Sequence, residues 1–197
     1  MRKVLPFVNF SLVILFLTLL ACSSPPSEIN ILTSRAEKGE VKAQFALGDA
    51  YFFGKGVPKD YAEAVKWWRK AAEQGHDFAQ HSLGGMYYMG RGVPQDYAEA
   101  AKCFRKAAER GFVKSQYNLG VMYSVGHGVP QDYVQSYFWA SLAALESLYG
   151  TYPQATKVRD EAEKKLNPEK LMEAQRMTAE WKKSHPWHPP PLMPPLA

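Results

Sequence analysis

Between residues 41 and 148 the apolar positions fall into short stripes, each with the spacing of a helix face. Ala43, Leu47, Ala50 and Tyr51 share one face because residues three and four apart stand above one another on a helix. A second stripe, Tyr61, Ala64, Val65, Trp68 and Ala72, has Glu63, Lys66, Lys70 and Glu73 on its solvated side. Both stripes return 36 residues later and again after a further 36. Gly54-Lys55-Gly56-Val57-Pro58 becomes Gly90-Arg91-Gly92-Val93-Pro94, then Gly126-His127-Gly128-Val129-Pro130. The pattern predicts helix-loop-helix units at 41–76, 77–112 and 113–148. A fixed period of this size marks units that cannot bury an apolar face alone and must stack on their neighbours.

The boundaries of the predicted helices carry their own chemistry. Asp60 with Glu63, Asp96 with Glu99, and Asp132 with Gln135 have N-cap and N3 spacing, so each side chain can satisfy a free backbone N–H. The first loop glycine of each unit follows the last apolar residue, where a helix can end with positive φ. Val57 is placed to pin its loop to the core. Gly48, Gly84 and Gly120 leave room for a neighbouring helix to approach.

The flanks read as caps. In residues 28–40, Ile29, Leu32 and Ala36 map by the 36-residue shift onto Val65, Trp68 and Ala72, as in the second half of a unit. In the third unit Phe138, Ser141, Leu142 and Leu145 replace the polar side of the second helix, so that face needs a cover. Residues 149–183 supply it as two helices, the last opened by Asn167-Pro168 and packing through Leu171, Ala174, Thr178 and Trp181. Residues 184–197 hold too much proline for a helix and read as an extended tail, which could dock on an aromatic groove of a partner. The expected fold is all-α: a right-handed α-solenoid of stacked helix-turn-helix repeats, with a half-repeat N-cap and a helical C-terminal cap.

The N-terminus has a different character. Arg2 and Lys3 precede an apolar run from Val4 to Leu20, which ends in Leu19-Leu20-Ala21-Cys22. That is a signal peptide over 1–21, and Leu-Leu-Ala-Cys resembles the bacterial lipobox, in which the cysteine is lipidated and becomes the mature N-terminus. An uncleaved membrane anchor is the competing reading, since the run is nearly long enough to span. Residues 22–27 form a short tether, and Ser23 after the cysteine resembles outer-membrane sorting. Export to the periplasmic face of the envelope, with a lipid at Cys22, is the expected localisation.

Composition narrows the chemistry. The formal net charge of +5 falls to +3 without the leader, 22 basic against 19 acidic residues. No like-charge run marks a nucleic-acid surface. Cys103 is the one cysteine left beyond Cys22, so no intrachain disulfide forms and stability rests on packing. It stands in the slot of Trp67 and Trp139, without a histidine at helical spacing, and is expected to be partly covered and inert. Gly54-x-Gly56 lacks the preceding strand and third glycine of a phosphate cradle. His185 and His188 flank Trp187 without acidic or cysteine partners, so no metal is expected. No cofactor is expected either.

The repeated blocks Ala-x-x-x-Leu-Gly-x-x-Tyr, Gly-x-Gly-Val, Asp-Tyr-x-x-Ala and Lys-Ala-Ala-Glu-x-Gly occur in the first two units, and the third keeps most of them, with Ser115 for the first alanine. This combination resembles the Sel-one-like repeat family, a relative of the tetratricopeptide repeat. The resemblance implies a solenoid with a protein-binding role, often as an adaptor or regulator at the bacterial envelope. Some exported members carry a disulfide in each repeat, and this chain lacks those cysteines.

In such arrays the first helices line the concave side. The residues opposite Ala43 and Leu47 are Lys42, Phe45, Asp49 and Phe52, with Phe78, His81, Gly85 and Tyr88 in the second unit and Lys114, Tyr117, Val121 and Ser124 in the third. Exposed aromatics rimmed by charge suit peptide recognition. The competing arrangement has Phe45, Phe52 and Tyr88 padding the wall. His81 and Asp49 could form an acid–base pair, but no nucleophile accompanies them. The expected activity is that of a non-catalytic, monomeric scaffold binding a protein or peptide, with no nucleic acid and the membrane engaged through the lipid. The alternative is a cell-wall or β-lactam hydrolase, for which no Ser-x-x-Lys pair is present.

Overall fold

The computed structural model describes residues 28–145 and 153–185. The expected signal peptide, Cys22 and its tether, and the tail beyond His185, including Trp187 and His188, lie outside the described residues. So do residues 146–152. The described residues contain helices and no strand: α1 (Glu28–Glu37), α2 (Val41–Phe53), α3 (Tyr61–Glu73), α4 (Asp77–Met89), α5 (Tyr97–Glu109), α6 (Val113–Val125), α7 (Tyr133–Leu145), α8 (Pro153–Glu163) and α9 (Pro168–Ser184). They form an α-solenoid in which α2–α3, α4–α5 and α6–α7 are successive hairpins. Among the described residues, no helix is long and apolar enough to cross a membrane.

Local chemistry explains where each helix starts and stops. α2, α4 and α6 end on Gly54, Gly90 and Gly126 in the left-handed conformation, φ 72°, 66° and 76°. Asp60 accepts from the Ala62 and Glu63 N–H groups, Asp96 from Glu99 N–H, and Asp132 from Val134 and Gln135 N–H. The reciprocal half of the expected capping box does not form. The Asp60, Asp96 and Asp132 N–H groups donate instead to the carbonyls of Tyr51, Tyr87 and Tyr123. Glu63 and Glu99 are thereby released to pair with Lys66 and Lys102, one turn on. α4 has an unexpected cap: the His76 imidazole accepts from Ala79 N–H at 3.3 Å.

The core is a string of clusters, each spanning a junction between hairpins. Ala36, Ala43, Leu47, Ala50 and Trp67 join α1 to the first hairpin. Ala64, Val65, Trp68, Ala71, Ala79, Leu83 and Met86 join the first to the second. Phe104, Leu119, Met122, Phe138 and Trp139 join the second to the third. Leu47, Leu83 and Leu119 are 0%, 4% and 0% exposed, and burying one such side chain contributes about 1.5–3 kcal/mol.

Three glutamines that the apolar pattern passes over run through these junctions. Gln44, Gln80 and Gln116 are buried, and their side-chain amides donate to the carbonyls of Ala36, Ala72 and Ala108 at 3.2, 3.3 and 3.2 Å. Those carbonyls belong to the last turn of the preceding helix and also accept from the Gly39, Gly75 and Gly111 N–H groups at 3.1, 3.0 and 2.9 Å, so each glutamine adds a second donor that reaches across the junction. On another face, Arg69 and Arg105 donate to the Tyr87 and Tyr123 hydroxyls of the following unit, at 2.9 and 2.6 Å.

Glycine sets the closeness of approach at two levels. Within a hairpin, a Cβ at Gly48 would lie 2.4 Å from the Trp68 ring. Between hairpins, a Cβ at Gly92 would lie 2.4 Å from the Tyr61 carbonyl oxygen, and one at Gly128 would lie 2.1 Å from that of Tyr97. Gly56 faces only the Ile29 side chain, at 3.6 Å.

At the far end, α7 is apolar all round and is covered by α8 and α9. Tyr137 packs with Ala162 and Ala174, and Trp181 packs edge-on against Phe138 and Trp139 at 5.9 and 5.7 Å. Asn167 caps α9 by accepting from Lys170 N–H at 2.9 Å.

Two stability series test this account. Alanine at Gly56 is expected to cost about 1–2 kcal/mol for left-handed backbone. Gly128→Ala is expected to cost more, because the preceding unit's backbone must also retreat; urea melts showing equal losses would contradict the stacking geometry. Gln116→Leu is expected to cost about 0.5–1.5 kcal/mol by removing the hydrogen bond that joins the third unit to the Ala108 carbonyl, as read from the same melts.

Candidate functional site

The inner-face positions expected from the helix wheel separate into covered and open ones. Phe45 stacks on His76 at 4.5 Å with 24° between the rings, and lies 6.0 Å from Phe78. Phe52 meets Tyr61 at 5.4 Å and Trp68 at 5.3 Å. Tyr88 lies 5.0 Å from Tyr97, and its hydroxyl is 3.3 Å from His127 Nδ1. Tyr117 packs with Val113 against Ala143, Ala144 and Ala155, so the closing helix α8 covers a position expected to line the groove. These four rings are therefore packed against other parts of the array and partly buried. The reason is that a ring on this face is wide enough to reach the next element, and burying it there removes apolar area from water.

The acid–base pair does not form. Asp49 accepts from the Trp68 indole N–H at 3.1 Å, and burial raises its carboxyl above the usual carboxylate range. His81 Nδ1 lies 2.9 Å from Ser115 Oγ in the next unit. Burial, helped by the Lys114 charge, pushes the His81 pKa down to about 4. His81 is thus a neutral linker between repeats at ordinary pH, not a poised base. Burial pushes the Cys103 thiol up to about 11, with Glu99 adding to the effect, which leaves it protonated and poorly nucleophilic. His185 stacks on Trp181 at 3.9 Å. Among the described residues, no group of three or more His, Cys, Asp or Glu side chains is placed to hold a metal ion.

What stays open is one row. Lys42, Phe78 and Lys114 occupy the same place in successive repeats, near the start of α2, α4 and α6, and all three are exposed. Phe78 is 57% exposed, although it touches Phe112 edge-on at 4.8 Å. The row is a rigidly supported aromatic with a cation one repeat away on each side. A cleft of about 650 Å³ opens farther toward the N-terminus, lined by Ile29, Leu32, Ala46 and Asp49 among others. Its equivalent one repeat on is filled by α2, through Phe52 and Gly48 against Trp68. The exposure of Phe78 was legible as an aromatic at a variable position. The covering of its neighbours was not, because it depends on which loop and which closing helix arrive beside them.

The His81 site predicts a pH dependence. Its folded pKa is depressed below the unfolded value, so its contribution is present above about pH 6.5 and is lost as pH falls toward about 4. Melting temperatures at about pH 7.5 and about pH 5 should therefore differ less in His81→Gln than in the parent chain. His76, whose pKa burial also lowers, leaves part of the slope in place.

Residues 41–76, 77–112 and 113–148 each match the Sel1 repeat. No curated protein matches the chain. Among solved structures, a Sel1 repeat protein from Oxalobacter formigenes is 39% identical, over 66% of this chain and 95% of its own, with a TM-score of 0.58. A protective antigen present in uropathogenic Escherichia coli strains, displaying an SLR fold, is 28% identical, over 87% of this chain and 44% of its own, with a TM-score of 0.59. Sel1 repeats generally mediate protein–protein interaction. With three consecutive repeats over more than half its length, and the hairpins stacked accordingly, the chain belongs to the Sel1 repeat family.

Proposed function

We propose that this chain is a non-catalytic scaffold that captures a protein or peptide on the inner face of its repeats. It does so while held by a lipid on Cys22 at the periplasmic face of the bacterial envelope. The observation that carries the reading is the open row Lys42, Phe78 and Lys114. A half-exposed ring held from below buries area on a ligand at little entropic cost. Flanking cations suit a segment with an apolar anchor between acidic residues. Family membership supports the scaffold role in general. The lipobox-like Leu19-Leu20-Ala21-Cys22 supports the anchor.

The test is photo-crosslinking in cells from a photoreactive residue at position 78, with position 73 on the outward side of α3 as control. A discrete adduct from 78 and none from 73 is expected. Phe78→Ala in the purified chain should weaken binding of the captured protein about tenfold or more, with the melting temperature unchanged. Adducts no different from those at 73 would overturn the assignment of the face. Turnover of a chromogenic β-lactam by stringently purified protein would overturn the scaffold reading itself.

A further inference from the structure

Every hairpin ends its first helix with an exposed apolar side chain. Phe53, Met89 and Val125 hold the same position in successive repeats and are 59%, 48% and 50% exposed. A lone exposed apolar residue is ordinary, whereas three in register form a continuous stripe. Each precedes the Gly-x-Gly-Val-Pro loop, so the stripe runs along the loop edge of the solenoid. Exposed prolines at 58, 94 and 130 extend it.

The charges of this edge are arranged unequally. Asp60, Asp96 and Asp132 turn their carboxylates back onto helix N–H groups. The cations face outward over rings: Lys55 over Phe53 at 5.2 Å, Lys59 over Tyr61 at 4.8 Å, and Arg91 over Tyr61 at 5.9 Å. Asp60 and Asp96 stay exposed as caps, Glu28 is exposed beside them, and the third loop carries His127 where the first two carry Lys55 and Arg91. Among the described residues, the opposite edge, with the turns at 38–40, 74–76 and 110–112, exposes Phe78 but no matching apolar row, and it carries the Arg35–Glu40 ion pair.

The described chain also begins at this edge. α1 occupies the place of a second helix, so its first residues lie beside the loops, and Ile29 sits against Gly56. Cys22 precedes Glu28 by six residues, a stretch that spans at most about 20 Å when extended. An acyl group on Cys22 is therefore attached closer to the loop edge than to the opposite one, and favours the loop edge at the bilayer.

We propose that the loop edge is a membrane-docking surface, in which Phe53, Met89 and Val125 enter the headgroup region and Lys55, Lys59 and Arg91 meet anionic phospholipid. This inference rests on the N-terminus being membrane-held. Docking along the edge would set the array at a fixed height and leave the Lys42–Phe78–Lys114 row facing sideways into the periplasm. Apolar and cationic side chains presented together on a rigid edge are the combination that holds a protein at an anionic bilayer surface.

The experiment uses the full chain, purified from envelopes and reconstituted into phosphatidylethanolamine–phosphatidylglycerol vesicles doped with a diazirine phospholipid. After irradiation, digestion and mass spectrometry, lipid adducts in the loop peptides should exceed those in the opposite turns about fivefold or more. The triple variant F53N/M89N/V125N should lose most of those adducts while keeping its melting temperature. Equal labelling of the two edges, or undiminished labelling of the triple variant, would overturn the docking edge. The same digest reports the mass of the Cys22 peptide. A Cys22 without diacylglycerol but with labelled loops defeats the lipid anchor and leaves the edge standing; an acylated Cys22 with unlabelled loops does the reverse.

Discussion

The buried amide of one glutamine per repeat, bonded to an alanine carbonyl of the preceding unit, is the constraint around which the array is organised. The last turn of any helix leaves carbonyls without partners. Here the Ala36, Ala72 and Ala108 carbonyls accept from the glycine N–H of the following turn. Gln44, Gln80 and Gln116 add a second donor to each from inside the junction, and that bond joins one unit to the next. Around these bonds the junctions bring alanine, leucine and methionine into close contact, and the His81–Ser115, Arg69–Tyr87 and Arg105–Tyr123 hydrogen bonds add to the link between units. The bond also sets the register, since only one placement of the next hairpin brings the amide to the carbonyl.

A stack built this way is open at both ends, and the two ends are closed by different means. α1 is half a unit, offering Ile29, Leu32 and Ala36 to the first hairpin. At the other end α7 gives up its polar face, and α8 and α9 lie across it through alanines and Trp181. The closure at α7 reaches the inner face as well, because α8 packs against Tyr117. What stays most open there is the row through Phe78 and, farther toward the N-terminus, the cleft beside α1.

The aromatic residues of that face illustrate how one side-chain type divides between packing and presentation. Phe45, Phe52 and Tyr88 each find a ring from a later element within 4.5–5.4 Å. Phe78 meets Phe112 only by its edge and keeps more than half of its surface. The shared rings make the face stiff, so the one left open is held in place before any ligand arrives. Cys103 and His81 follow the same logic. Both are drawn into junctions, and burial suppresses the thiolate of one and the imidazolium of the other.

The repeat period, the helix pairs, their aspartate caps and the need for a cover on α7 were all legible in the chain. They arise from local rules: three- and four-residue spacing, a carboxylate ahead of a helix, and glycine where φ must be positive. The glutamines also recur every 36 positions, although an apolar reading passes over them. Which aromatics are open, why Asp60 leaves Glu63 free, and which edge carries the N-terminus were decided only by tertiary structure. Each of these depends on a group from another element arriving at a particular place: the Tyr51 carbonyl at Asp60, α8 at Tyr117, Ile29 at Gly56. Periodicity states which face of a helix is apolar, but the distance to the neighbour that covers it is a property of the assembled stack.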